Sequence, residues 1–162
     1  MTDFGRLLEA LATHDVSYII IGGFAATAHG SAFLTVDLDV VYDRSATNVQ
    51  RLVAALEPLS PYLRGAPPGL PFKLDAETIA RGLNFTLRTS AGDLDLLGEA
   101  AGGGTYEALL PHTELRDVLG CMCRFVDLET LIRLKRAAGR PKDLERIAEL
   151  EALRAERDQA DQ

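Results

Sequence analysis

The feature that most constrains this chain is the segment Thr35 to Tyr42, TVDLDVVY, in which two aspartates are threaded through an apolar, largely β-branched run. Asp37 and Asp39 alternate with Val36, Leu38 and Val40. That period of two predicts a half-buried strand with both carboxylates on one face. Side chains two apart on a strand stand about 6–7 Å from one another. Carboxylates so placed oppose each other's ionisation, so the face is either open to water or built to receive a cation.

Two further segments bear on that choice. Upstream, Val16 to Ile21 is a β-branched run that reads as a buried strand, stopped by Gly22 and Gly23. A glycine pair there lets backbone N–H groups approach an anion closely, although such pairs are more often simple turns. Downstream, Leu83 to Thr89 and Asp93 to Leu97 read as a hairpin around Gly92. Asp95 lies on its second strand, and a neighbouring strand brings opposed side chains within about 4.5–5.5 Å. Asp37, Asp39 and Asp95 would then form a hard, oxygen-rich site suited to Mg2+, with Mn2+ as the alternative. Asp93 is the rival for the third position.

The remaining periodicities predict helices over Phe4 to His14, Phe24 to His29, Ser45 to Leu56 and Leu128 to Ala138, and from Pro141 to about Arg157. Asp127 is placed to cap the fourth of these and Gly139 to close it. Glu114 to Leu119 and Met122 to Val126 read as another hairpin. Five prolines between Pro58 and Pro71 predict a long loop without regular structure, and Gly102 to Gly104 a flexible one. The expected organisation is a core over residues 1–126, a helical extension over 127–157 and a frayed tail over 158–162.

Composition narrows the function classes. With 162 residues, 47% hydrophobic and 25% charged, the chain can bury one core. A formal net charge of -7 argues against bulk electrostatic coating of nucleic acid. Five of the 17 basic residues nevertheless fall between Arg133 and Lys142: Arg133, Lys135, Arg136, Arg140 and Lys142. They read either as a phosphate-binding cluster or as a solvated helix face with Asp143 as dipole partner. The apolar run Val16 to Ala28 is too short to span a bilayer, and no secretory pattern opens the chain, so the expected compartment is the cytoplasm. Cys121 and Cys123 lack the further ligands of a structural zinc site, and the three histidines form no nucleophile arrangement. His29 is expected to cap its own turn rather than touch substrate.

The stretch YIIIGGFAATAHGSAFLTVDLDVVYD resembles the signature of the nucleotidyltransferase superfamily, with its DNA polymerase beta-like fold: an apolar strand, Gly-Gly, a spacer and Asp-x-Asp, the spacer here being the 13 residues Phe24 to Val36. GDLDLL resembles the strand that supplies the third acid. LIRLKRAAGRPKDLERIAEL resembles the C-terminal segment of small bacterial proteins related to AbiEii-type toxins. The resemblance implies an α/β (α+β) fold with a mixed, twisted sheet flanked by helices and a short helical extension. It implies that Gly22 and Gly23 contact a triphosphate, that Asp37, Asp39 and Asp95 are catalytic and bind metal, and that Lys135 and Lys142 bind nucleotide. The implied activity is transfer of a nucleoside monophosphate from a nucleoside triphosphate to a hydroxyl of tRNA or protein. A toxin-antitoxin role with a cognate antitoxin, or a homodimer, goes with it. Relatives of this type carry basic or polar residues where this chain has Phe33 and Val36. Either Arg44, Arg81 or the C-terminal cluster then compensates, or the chain binds nucleotide poorly and has a weakened or altered activity. The alternative is a non-catalytic nucleotide-binding or partner-binding protein of the same fold.

Overall fold

The strand β2 (Asp37–Tyr42) lies at the centre of a seven-stranded mixed sheet, and its neighbours follow from the apolar segments on either side of it in sequence. The computed structural model describes residues 1–161. In chain order, α1 (Phe4–Thr13) leads to β1 (Tyr18–Ile21), which pairs antiparallel with β2 across α2 (Gly22–Ala28). After α3 (Ala46–Leu56), the short β3 (Tyr62–Leu63) and α4 (Ala76–Arg81), the hairpin of β4 (Asn84–Thr89) and β5 (Gly92–Leu97) adds to the other edge of β2, with β5 parallel to it. A two-stranded ladder, β6 (Glu99–Ala100) with β7 (Gly104–Thr105), precedes α5 (Tyr106–Leu109). The hairpin β8 (Thr113–Val118) and β9 (Cys121–Val126) then joins β1, giving the order β3-β4-β5-β2-β1-β9-β8. The chain ends in α6 (Leu128–Ala138) and α7 (Leu144–Ala160).

Alternation on the central strands sorts the two faces of the sheet. Leu38, Val40 and Tyr42 of β2 and Leu94 and Leu96 of β5 are fully buried, and the stacked rings of Phe4 and Phe24 extend that core toward Phe125 of β9. The opposite face carries Asp37, Asp39 and Asp95, and α6 closes over part of it with Leu131 and Leu134. Burial of these aliphatic and aromatic side chains, about 1.5–3 kcal/mol each, is the main force holding the acidic face in register.

Helix ends follow local chemistry. Asp127 accepts from the Thr130 N–H at 2.8 Å to cap α6, and Gly139 ends it in the left-handed conformation, φ 65°. Asp75 caps α4 in the same way, a helix the sequence periodicity does not announce because it is only six residues long. Other differences are informative. Gly22 and Gly23 open α2 rather than stopping before it. The proline-rich segment contains β3, which pairs with Leu87 and Arg88 of β4. Pro141 to Asp143 form a 3-10 turn, so that α7 begins at Leu144, and it continues to Ala160, through most of the stretch expected to fray. Gln162 lies outside the described residues.

Candidate active site

The parallel pairing of β2 with β5 sets Asp37 opposite Asp93 and Asp39 opposite Asp95. The hydroxyl of Thr2 fastens the start of both strands, donating to the Val36 carbonyl and accepting from the Asp93 N–H at 3.1 Å. One carboxylate oxygen from each of Asp37, Asp39 and Asp95 lies within 4.8 Å of the others. Asp93 stands on the same face but outside that group, toward Arg88 at 3.7 Å and Arg64 at 3.5 Å.

The electrostatics express the crowding. Burial pushes the Asp39 carboxyl up to about 8, helped by its hydrogen bond to Asp95 and by the charges of Asp95 and Asp37. Burial also raises Asp37, as does Asp95, while the Arg64 guanidinium pulls it back down. A hard divalent cation fits this donor set: three convergent carboxylates whose burial and mutual repulsion oppose ionisation in the absence of added positive charge.

The glycine pair makes room for this arrangement. Gly22 has φ 69°, and a Cβ there would overlap the Asp39 carboxylate; a Cβ on Gly23 would come to 2.7 Å from the Thr35 hydroxyl. Thr35 in turn donates to the Asp37 carbonyl at 3.2 Å. Glycine at both positions thus lets β1 and α2 close against the acidic strand.

Above the carboxylates opens a cleft of about 250 Å³, bounded by Gly22, Asp39, Asp95, Asn84 and Leu97 on the sheet side and by Leu134, Lys135 and Arg140 on the helical side. The basic cluster divides. Lys135 is buried in the cleft wall, and burial lowers its ammonium, with Asp143 and Asp39 acting in the other direction. Lys142 is exposed, on the 3-10 turn, and its charge acts on Asp37. Arg136 pairs with Glu151 of α7, and Arg133 faces solvent. Asp143 is not a solvated dipole partner: it has no exposed surface, accepts from Arg140 Nε at 2.9 Å, and its Oδ1 has no hydrogen-bond partner.

Arg64 was not singled out by sequence reasoning, and nothing in a proline-rich loop announces it, because its role depends on β3 pairing with β4. Its NH2 lies 2.8 Å from Asp95 Oδ1 and its NH1 3.8 Å from Asp37 Oδ2. Arg44 and Arg81 do not compensate at the site. Arg44 bonds the Tyr42 hydroxyl and the Ile79 carbonyl, and Arg81 pairs with Glu77. The cation beside Phe33 is Arg146 of α7, stacked 5.3 Å from the ring centroid. His29 is buried, with Nε2 2.8 Å from the Val126 carbonyl and Nδ1 3.1 Å from Arg157, a structural tie between α2, β9 and α7.

Among solved structures, the chain is similar to a protein from Thermotoga maritima described as a candidate nucleotidyltransferase, with a TM-score of 0.55, covering 96% of this chain and 91% of that one at 13% sequence identity. At that identity the likeness is one of fold, and the chain has the nucleotidyltransferase-type fold. No family model and no curated protein matches the chain. Among the described residues, no helix is long and apolar enough to cross a membrane.

Proposed function

We propose that this chain is a metal-dependent nucleotidyltransferase that moves a nucleoside monophosphate from a nucleoside triphosphate to an acceptor hydroxyl. The single observation that carries the reading is the convergence of Asp37, Asp39 and Asp95, of which Asp39 and Asp95 form the floor of a cleft whose other wall carries Lys135 and Arg140. In the reaction the hydroxyl oxygen bonds to the α-phosphorus, the bond from that phosphorus to the bridging oxygen of the β-phosphate breaks, and pyrophosphate leaves. Asp37, Asp39 and Asp95 would hold Mg2+ or Mn2+, which when bound neutralises phosphate charge and lowers the pKa of the attacking hydroxyl. Lys135 and Lys142 serve as point charges for the triphosphate, Lys135 from the buried wall and Lys142 from the rim. Gly22 and Gly23 give the backbone close approach to phosphate oxygens.

The acceptor on this reading is a tRNA end or a protein side chain, and the chain acts in the cytoplasm as the toxin-like half of a toxin-antitoxin pair of AbiEii type. Residues 1–126 form the catalytic core, and 127–157 the extension that brings the cations to it. A cognate antitoxin or a second copy of the chain completes acceptor recognition. The test is label transfer from each of four α-labelled nucleoside triphosphates with Mg2+ or Mn2+, using total tRNA and cell protein as acceptors. The Asp37→Ala/Asp39→Ala variant is the control. Transfer abolished in the variant supports the enzyme.

The position of Arg64 against Asp95 favours a second reading, a protein that binds nucleotide without turnover. Metal-dependent nucleotide binding without pyrophosphate release would identify it.

A further inference from the structure

Four carboxylates, Asp37, Asp39, Asp93 and Asp95, share one face of two adjacent strands, and Arg64 is the guanidinium set among them. It is held from several sides. Its backbone N–H donates to the Thr86 carbonyl at 3.0 Å, and its NH2 donates to the Leu87 carbonyl at 2.7 Å while lying 2.8 Å from Asp95 Oδ1. Its Nε stands 3.5 Å from Asp93 and its NH1 3.8 Å from Asp37. A planar guanidinium spread over three acids is the arrangement a protein uses to offset crowded negative charge without a metal.

The contact is incomplete as a permanent ion pair. Arg64 Nε and Asp95 Oδ1 are both buried, and among the described residues neither has a hydrogen-bond partner of good geometry, even though Arg64 NH2 lies 2.8 Å from that oxygen. A buried pair left short of hydrogen bonds gives little net stability, because desolvation consumes the attraction. Lys135, by contrast, stands across the cleft, on the Asp39 side. The acid cluster therefore has two ends: a cleft end at Asp39, facing Lys135, and an outer end at Asp37, Asp93 and Asp95, where Arg64 supplies the positive charge.

We propose that Arg64 is a resident counter-cation that limits the empty site to one divalent ion, and that a second ion binds only when the guanidinium gives up Asp95 and Asp37. The inference rests on the metal-binding reading above and goes beyond it by making the second ion conditional. An ion bound at the Asp39 end leaves Arg64 in place. A second ion needs the oxygens that Arg64 covers, so it competes with a tethered positive charge. Arg64 is on this account a positioning residue: it keeps Asp93 out of the metal set and orders the binding of the two ions.

The experiment is a titration of the full chain with Mn2+ alone at pH 8, following free Mn2+ by electron paramagnetic resonance, for the wild type, Arg64→Gln, Arg64→Lys and Asp39→Asn. Circular dichroism checks each fold. The wild type is expected to bind one Mn2+ in the micromolar range and a second at least tenfold more weakly, Arg64→Gln two with that gap closed, and Arg64→Lys, whose compact ammonium cannot span three acids, to fall between them. A folded Arg64→Gln with the same stoichiometry and affinities as the wild type would overturn the proposal. If binding is nonetheless lost in Asp39→Asn, the metal reading stands without it. Absence of Mn2+ binding in both the wild type and Arg64→Gln overturns both. Should Arg64→Gln fail to fold, phenylglyoxal labelling of the wild type, mapped by mass spectrometry, takes its place. Millimolar Mn2+ should speed modification of Arg64 several-fold, and an unchanged or slower rate rejects the idea.

Discussion

The two walls of the cleft are built by different means. On the sheet side, Asp37, Asp39 and Asp95 are located by the pairing of β2 with β5, so their mutual geometry is set by backbone hydrogen bonds and cannot relax without breaking the sheet. On the helical side, Lys135 sits on α6 and Arg140 just before the 3-10 turn, with Lys142 beside it on that turn, placed by helix packing and by side-chain pairs such as Arg140 with Asp143. The acidic wall is therefore rigid and indivisible, while the basic wall is distributed over several long side chains. Loss of one acid should remove the site; loss of one cation should only weaken it.

Breaking that contrast begins with Asp39→Ala, for which nucleotidyl transfer should fall at least about 10³-fold and the Mn2+-induced rise in melting temperature should disappear. A residual rate above a few per cent would mean the three acids are not a unit. Lys135→Met fills the same buried space without charge, and activity should fall about 10²-fold through weaker nucleotide binding, with melting temperature nearly unchanged. Equal losses for the two variants, measured by label transfer, would erase the distinction between the walls. Gly22→Ala should destabilise the chain by about 1–3 kcal/mol in urea unfolding, because a side chain is forced into the left-handed region against Asp39. It should also lower Mn2+ affinity, whereas Gly23→Ala, with no left-handed backbone to strain, crowds only the Thr35 side chain, at 2.7 Å from its hydroxyl and 2.9 Å from its Cβ, and should cost less.

The pH dependence sharpens the comparison. Asp39 has a raised folded-state value, so its contribution to stability is fully present below the unfolded carboxylate value of 3.8 and is lost as pH rises through about 8. Metal-free protein should melt lower at pH 9 than at pH 6, and added Mn2+ should stabilise it more at pH 9, which thermal scans at both pH values would check. The smallest effect is on the structural side. Burial lowers His29, with Arg157 adding to the shift, so its contribution is present above the unfolded value of 6.5 and fades as pH falls below it. His29→Gln should flatten the loss of stability between pH 6.5 and 5 without touching transfer.

Much of this was legible in the sequence because it rests on short-range periodicity. The alternation around Asp37 and Asp39, the hairpins at Gly92 and Gly120, and the Asp127 and Gly139 ends of α6 all appear close to where the pattern puts them. What was not legible depends on distant partners. Arg64 matters only because β3 pairs with β4, and the prolines around it read as an unstructured loop. Asp143 looks like a surface acid at a helix start until the packing of α6 against α7 buries it. Arg44 and Arg81 looked available as cations until their partners Tyr42 and Glu77 were known.

The parallel pairing of β2 with β5 also has a kinetic side. Asp39 and Asp95 meet only after α3, the proline-rich segment, α4 and β4 have all been put in place between them. Such a non-local contact is costly to form early, since the entropy of closing the intervening loop comes before any gain from the pairing. The acid cluster is thus absent from early folding species and complete only in the finished molecule. On the proposed metal-binding reading, a divalent ion would act as a lock on the native state, slowing the chain's departure from the folded form without hastening its arrival.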